Sequence, residues 1–211
     1  MPIEIHTPDH PPANWTETAK HLGIITAGVL IALSLEGIVS WIDHRMLVRE
    51  AVANLTAELR NNKKDLDGLF AILDREDGQL EHLNQLANEL AKGPIAHGEA
   101  TLDLGGVELK NAAVTTGQIT GAFGYMEYEQ VRRYADVYDF QASFMRLQER
   151  ESQHLSDVLA FVGHIGESER QTAEALARWK SQIDTARAGV FLRQQLGRQL
   201  QKRYDDLLAR R

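Results

Sequence analysis

The chain has no cysteine and only five prolines in 211 residues. Without cysteine there is no disulfide, no thiolate ligand for zinc or an iron–sulfur cluster, and no thiol nucleophile. Four prolines fall at positions 2, 8, 11 and 12, and the fifth is Pro94. Proline breaks helices, so the rest of the chain is free to form very long ones. Positive charge is also in deficit: the net charge is −7. General nucleic-acid binding rests on neutralising phosphates, and this balance argues against it. Charged residues at 25% and apolar residues at 43% are ordinary for a folded protein.

What is present begins with a proline-rich tail, residues 1–13, which carries His6 and His10 and has no periodicity. It reads as disordered. Asn14 stands three residues before Glu17, the spacing of a capping box, so a helix is expected to start there. From Leu22 to Ile42 the sequence is LGIITAGVLIALSLEGIVSWI, with one charge in the run. At 1.5 Å per residue this covers roughly 30 Å, the hydrocarbon thickness of a bilayer. Trp15 and Trp41 stand near its ends, where amphipathic rings favour the headgroup level. The lead is acidic and the apolar run is long, unlike a cleavable signal. Residues 14–43 are therefore expected to stay as a membrane-spanning helix. The alternative is the core helix of a soluble oligomer.

Glu36 is the exception inside the run. Residues four apart share a helix face, and Gly28, Ala32, Glu36 and Ser40 form such a row. Small residues let helices approach closely, and intramembrane carboxyls face protein or water rather than lipid. The row reads as a helix–helix contact face. Glu36 could instead sit at the membrane interface, or carry protons in an ion-coupled assembly. Lys20 flanks the run on one side and Arg45, Arg49 and Arg60 on the other, which leans the following domain toward the cytoplasm.

Beyond the run, residues 44–92 carry heptads. Position a falls at Val52, Leu59, Leu66, Leu73, Leu80 and Ala87, and position d at Leu55, Asn62, Leu69, Glu76, Leu83 and Leu90. This pattern predicts a helix packed along its length in coiled-coil or bundle fashion. Asn62 and Glu76 either specify register or oligomeric state, or lie at the edge of a wider face. Residues 93–107 read as a loop, with LDLGGVEL either a small hairpin around Gly105–Gly106 or a turn leading into a helix. Residues 108–211 supply the remaining helices: a short one over 108–122, a long one from Glu127 to Val162, a break at GHIGE, and a last one capped by Ser168 and Gln171. Val131, Tyr134, Tyr138 and Met145 mark one apolar face of the long helix, and Val137, Phe140, Phe144 and Leu147 another. The last carries Leu176, Trp179, Ile183, Val190, Leu200, Tyr204 and Leu207. The expected architecture is all-α: a spanning helix that continues into an antiparallel bundle whose long helices leave, return and leave again. The basic end (Arg193, Arg198, Lys202, Arg203, Arg210, Arg211) reads as a solvated face far from the bilayer.

Motifs for chemistry are thin. Glu151 and His154 form one Glu-x-x-His pair, where a di-iron bundle needs two such pairs and two further glutamates. Gly117, Gly121 and Gly124 lack the Lys-Ser/Thr of a phosphate loop. Tyr125, Tyr128, Tyr134 and Tyr138 suit core or groove lining.

KHLGIITAGVLIALSLE, with TGQITGAFGYMEYEQVRRYADVYDFQ, resembles a group of uncharacterised bacterial proteins with an N-terminal GVLIAL segment and a helical domain. The resemblance implies a bacterial, membrane-anchored protein and brings no activity or site residues. No enzyme, cofactor or metal is expected. The expected partners are the lipid bilayer and either a second copy or another membrane protein. The rival readings are a regulatory or ion-coupled subunit using Glu36, and a helical-bundle metalloenzyme.

Overall fold

The computed structural model describes residues 15–93, 100–162 and 172–209. Several expectations fall outside them: the tail with His6 and His10, the Asn14 cap, Pro94, the GHIGE break, the Ser168–Gln171 cap, and Arg210 and Arg211. Helices take up 89% of the described residues. They are α1 (Trp15–Leu90), α2 (Ala112–Ile119), a short 3-10 turn (Ala122–Tyr125), α3 (Tyr128–Val162) and α4 (Ala173–Ala209). The chain divides into two compact units, one ending at Val48 and one beginning at Arg49.

The first unit is the leading part of α1. Its twelve large apolar residues from Leu22 to Ile42 are 44–71% exposed. No part of its most apolar 18-residue window is buried. Covering one such side chain stabilises a protein by roughly 1.5–3 kcal/mol, and among the described residues this stretch has no such cover. The helix is long and apolar enough to cross a membrane.

The second unit buries the heptad seam. Leu55, Leu59, Leu66, Leu69, Leu73, Leu80, Leu83 and Ala87 are at most 1% exposed, and Asn62 and Glu76 are fully buried among them. The 3.5-residue repeat thus marks one continuous core face. Opposite it, α3 contributes Tyr134, Val137, Tyr138, Phe144, Leu147, Leu155 and Val158, and α4 contributes Leu176, Trp179, Ile183, Val190, Leu200 and Tyr204.

Helix direction departs from the expected leave–return–leave order. On α1 and α3, Glu58 pairs with Tyr138 and Asn62 with Gln141, so residue numbers rise together and the two helices run parallel. Arg187 meets Asp77 and Glu81 while Gln201 meets Asp67, so α4 runs antiparallel to α1. Gln141 with Tyr204, and Val158 with Trp179, set α3 and α4 antiparallel as well. The return between α1 and α3 is made by residues 100–111 together with α2. The end of α4 consequently comes to Lys63, on the side of the unit where Arg49 lies, through the Lys63–Asp205 ion pair at 3.5 Å.

Residues 100–111 form no hairpin, and no strand occurs among the described residues. Their backbone groups bond to helix side chains instead of to a second strand. The short helix starts at Ala112, four residues later than expected, because the Lys110 backbone is held by Asn62. It stops before Gly121, whose φ of 73° is the left-handed region that glycine tolerates.

Candidate functional site: a polar groove holding an extended segment

Two polar residues at d positions open the site. A buried polar group without a partner costs about 1–3 kcal/mol, so Asn62 and Glu76 need partners inside the core. Both find them on the returning segment. The Asn62 amide donates to the Lys110 carbonyl at 2.7 Å, and its Oδ1 accepts from the Lys110 N–H at 2.9 Å. Glu76 Oε1 accepts from the Gly105 N–H at 2.8 Å, while its Oε2 takes a short bond from Arg193 Nη2. Arg193 Nη1 then reaches back to the Gly105 carbonyl at 3.2 Å.

The same device recurs along the segment. Gln148 of α3 accepts from the Val107 N–H at 3.0 Å and donates to the Val107 carbonyl at 2.8 Å. Gln79 accepts from the Asp103 N–H at 3.0 Å. Gln141 adds a second donor to the Lys110 carbonyl at 2.9 Å and accepts from Tyr204 Oη at 2.7 Å. Positions 103, 105 and 107 are gripped in alternation, as one edge of an extended strand would be. Length agrees. From Asp103 beside Gln79 to Lys110 beside Asn62, seven residues of segment match seventeen of α1. At 3.3 Å against 1.5 Å per residue, the two distances come to roughly 23 and 26 Å.

The segment fits by being small at Gly105 and Gly106. A Cβ on Gly105 would overlap the Ile72 Cγ2 methyl, and one on Gly106 would stand 3.1 Å from Gln148 Nε2. Leu102 and Leu109 are buried at its two ends. The lower end closes on Glu58, whose carboxylate accepts from the Ala113 N–H at 2.9 Å and from Tyr138 Oη at 2.7 Å. There it satisfies an otherwise free N–H at the start of α2.

Electrostatics follow from burial. Burial pushes the Glu76 carboxyl up, against the pull of Arg193 and the Gly105 N–H, with Asp103 adding to the rise. Arg193 is fully buried and its Nε has no hydrogen-bond partner among the described residues. The expectation that Arg193 belongs to a solvated basic face is therefore corrected: it is the core cation that pairs Glu76. Burial raises the Tyr138 and Tyr204 hydroxyls well above 10, Tyr138 also through the Glu58 carboxylate. These phenols keep their protons in the folded chain while the unfolded chain releases them, so stability is expected to fall as pH rises past about 10. Denaturant titrations at pH 9 and 11 measure this. Tyr138→Phe should flatten the alkaline loss.

The other candidates fall elsewhere. Gly28, Ala32, Glu36 and Ser40 are all exposed on the first unit, and a Cβ on Gly28 would meet nothing. Glu36 has no partner among the described residues, whereas Ser34, off that row, bonds the Leu30 carbonyl at 2.7 Å. His154 Nδ1 lies 3.1 Å from Glu151 Oε2, and that carboxylate rests where a Cβ on Gly189 would stand. Among the described residues, no three His, Asp or Glu converge as metal ligands. The tyrosines separate: Tyr134 and Tyr138 are core, Tyr125 and Tyr128 are exposed. Phe123 packs against Gly117, which explains that glycine.

Sequence reasoning found Asn62 and Glu76 but missed Gln79, Gln141, Gln148 and Arg193. A signal was available on α3, where Gln141 and Gln148 stand seven apart between apolar core positions. Comparison with family models, with curated proteins and with solved structures finds no match.

Proposed function

We propose that the chain is a membrane-anchored assembly module that works by binding rather than by catalysis. Its leading helix would span a bacterial inner membrane once, with the second unit on the cytoplasmic side. One observation carries the reading: twelve large apolar side chains from Leu22 to Ile42 stand uncovered in a folded chain. Lipid is the cover that suits all faces of a helix at once. Gly28, Ala32, Glu36 and Ser40 would form the contact with a second copy or another membrane protein. That Glu36 has no partner among the described residues supports this, because a carboxyl in hydrocarbon needs a protein or water partner.

An alkaline carbonate wash of membranes from expressing cells tests the anchor. The protein should stay in the washed pellet and dissolve only in detergent. Release into the wash would sink the reading. For the contact face, Glu36→Ala should reduce the oligomeric mass in detergent while leaving insertion intact. An unchanged mass would remove these four residues from the assembly surface.

A further inference from the structure

The returning segment has two edges, and only one is used. The N–H of Asp103 and both backbone groups of Gly105 and Val107 point into the groove, where Gln79, Glu76, Arg193 and Gln148 take them. In an extended chain the intervening residues point the opposite way. Leu104 and Gly106 make no backbone hydrogen bond among the described residues, and neither has any other partner there. Both are exposed, Leu104 to 54% although it is apolar. An extended segment held on one side with free groups on the other is a template for pairing with another chain.

We infer that the outer edge of residues 102–107 is a docking site for the same edge of a second copy of this chain, paired antiparallel about a two-fold axis at Gly105. The inference rests on the assembly reading above and names a contact for it in the second unit.

Self-complementarity argues for a second copy. A two-fold contact uses one patch twice, so the segment must fit itself. With Gly105 opposite Gly105, the free groups of Leu104 face those of Gly106 on the partner, as an antiparallel ladder requires. Leu104 then lies across a residue with no side chain, which gives its exposed isobutyl group room. Asp103 falls opposite Val107 and Glu108 opposite Leu102, so no like charges face each other. Sliding by one residue in one direction would set Asp103 against Glu108, a repulsive cross-strand pair. The groove contributes rigidity, since a pre-ordered edge loses little freedom when it pairs.

The cysteine-free chain gives a direct test. Leu104→Cys supplies the only thiol, and in this register the two Leu104 positions are diagonal neighbours about 7–8 Å apart. The full-length protein in detergent micelles is treated with a bis-maleimide of matching reach and run on a denaturing gel. Its mass is measured in parallel by light scattering. Asp157→Cys, exposed on α3, is the control. The expected result is a covalent dimer from Leu104→Cys, in most of the protein, and little from Asp157→Cys. A dimeric mass without a Leu104 cross-link overturns the edge pairing and leaves the assembly reading standing. Equal cross-linking at both positions marks chance collision and also overturns it. A monomeric mass with no cross-link overturns the edge pairing and leaves another membrane protein as the partner the assembly reading requires.

Discussion

Replacing Arg193 with alanine is expected to remove about 3–5 kcal/mol of stability, the range for breaking a buried ion pair by deleting one partner. The reason lies in what is left behind. Glu76 keeps a carboxylate at 0% exposure with its cation gone, and the Gly105 carbonyl loses its donor. Denaturant unfolding followed by helical circular dichroism, with the full chain in micelles, measures the loss. The sign with pH is fixed as well. Burial already holds the Glu76 carboxyl above its unfolded value of 4.5, and losing Arg193 raises it further. A group with a raised folded pKa binds its proton more readily in the folded chain, so the variant should regain stability as pH falls toward 5. If the deficit stays constant from pH 8 to pH 5, Glu76 is not left as an uncompensated charge. Arg193→Met together with Glu76→Leu should recover part of the loss. It should not recover all, because the Gly105 N–H and carbonyl then have no partners.

Gly105→Val is the second large effect. A Cβ at 105 overlaps the Ile72 Cγ2 methyl and crowds Glu76 Oε1 at 3.3 Å. Ile72 sits in a helix, where a β-branched side chain has essentially one rotamer, so it does not swing away. Overpacking of this kind costs about 1–3 kcal/mol, and here it acts where the segment is anchored. The expected outcome is expulsion of residues 102–109 from the groove rather than collapse of the unit. Hydrogen exchange reads the difference. Amides at 103, 105, 107 and 110 should lose protection while the α3–α4 pair keeps it. Uniform loss of protection would show that the helices do not hold without the segment.

Much of this was legible in the heptads. A 3.5-residue repeat named the buried face of α1 almost residue by residue, and the apolar periodicity of α3 and α4 placed Phe144, Trp179 and Ile183 in the core. The uncharged run from Leu22 to Leu35 marked the exposed stretch. Direction was not legible. Periodicity states which side of a helix is buried and nothing about which way its neighbour runs. Short connections favour antiparallel neighbours, and that habit suggested an alternation the chain does not follow. The groove was half legible. Asn62 and Glu76 broke the apolar pattern and so were singled out. Their partners were not, because a backbone carbonyl or N–H has no letter in the sequence. LDLGGVEL carried true strand character, but it met side chains in place of a second strand.

The parallel setting of α1 and α3 bears on how the chain finds its fold. An up-and-down helical bundle closes mainly contacts between neighbours in sequence. Here Glu58 must find Tyr138 across 80 positions, Glu76 must find Arg193 across 117, and Asp67 must find Gln201 across 134. Loop-closure entropy is spent on those meetings before any of them is rewarded. Chains dominated by distant pairings fold slowly whatever their secondary structure. The α3–α4 hairpin is the local part and can form early, whereas α1 gains its core face only when the returning segment is seated. Its folding should therefore be slower than that of an up-and-down helical bundle of the same length.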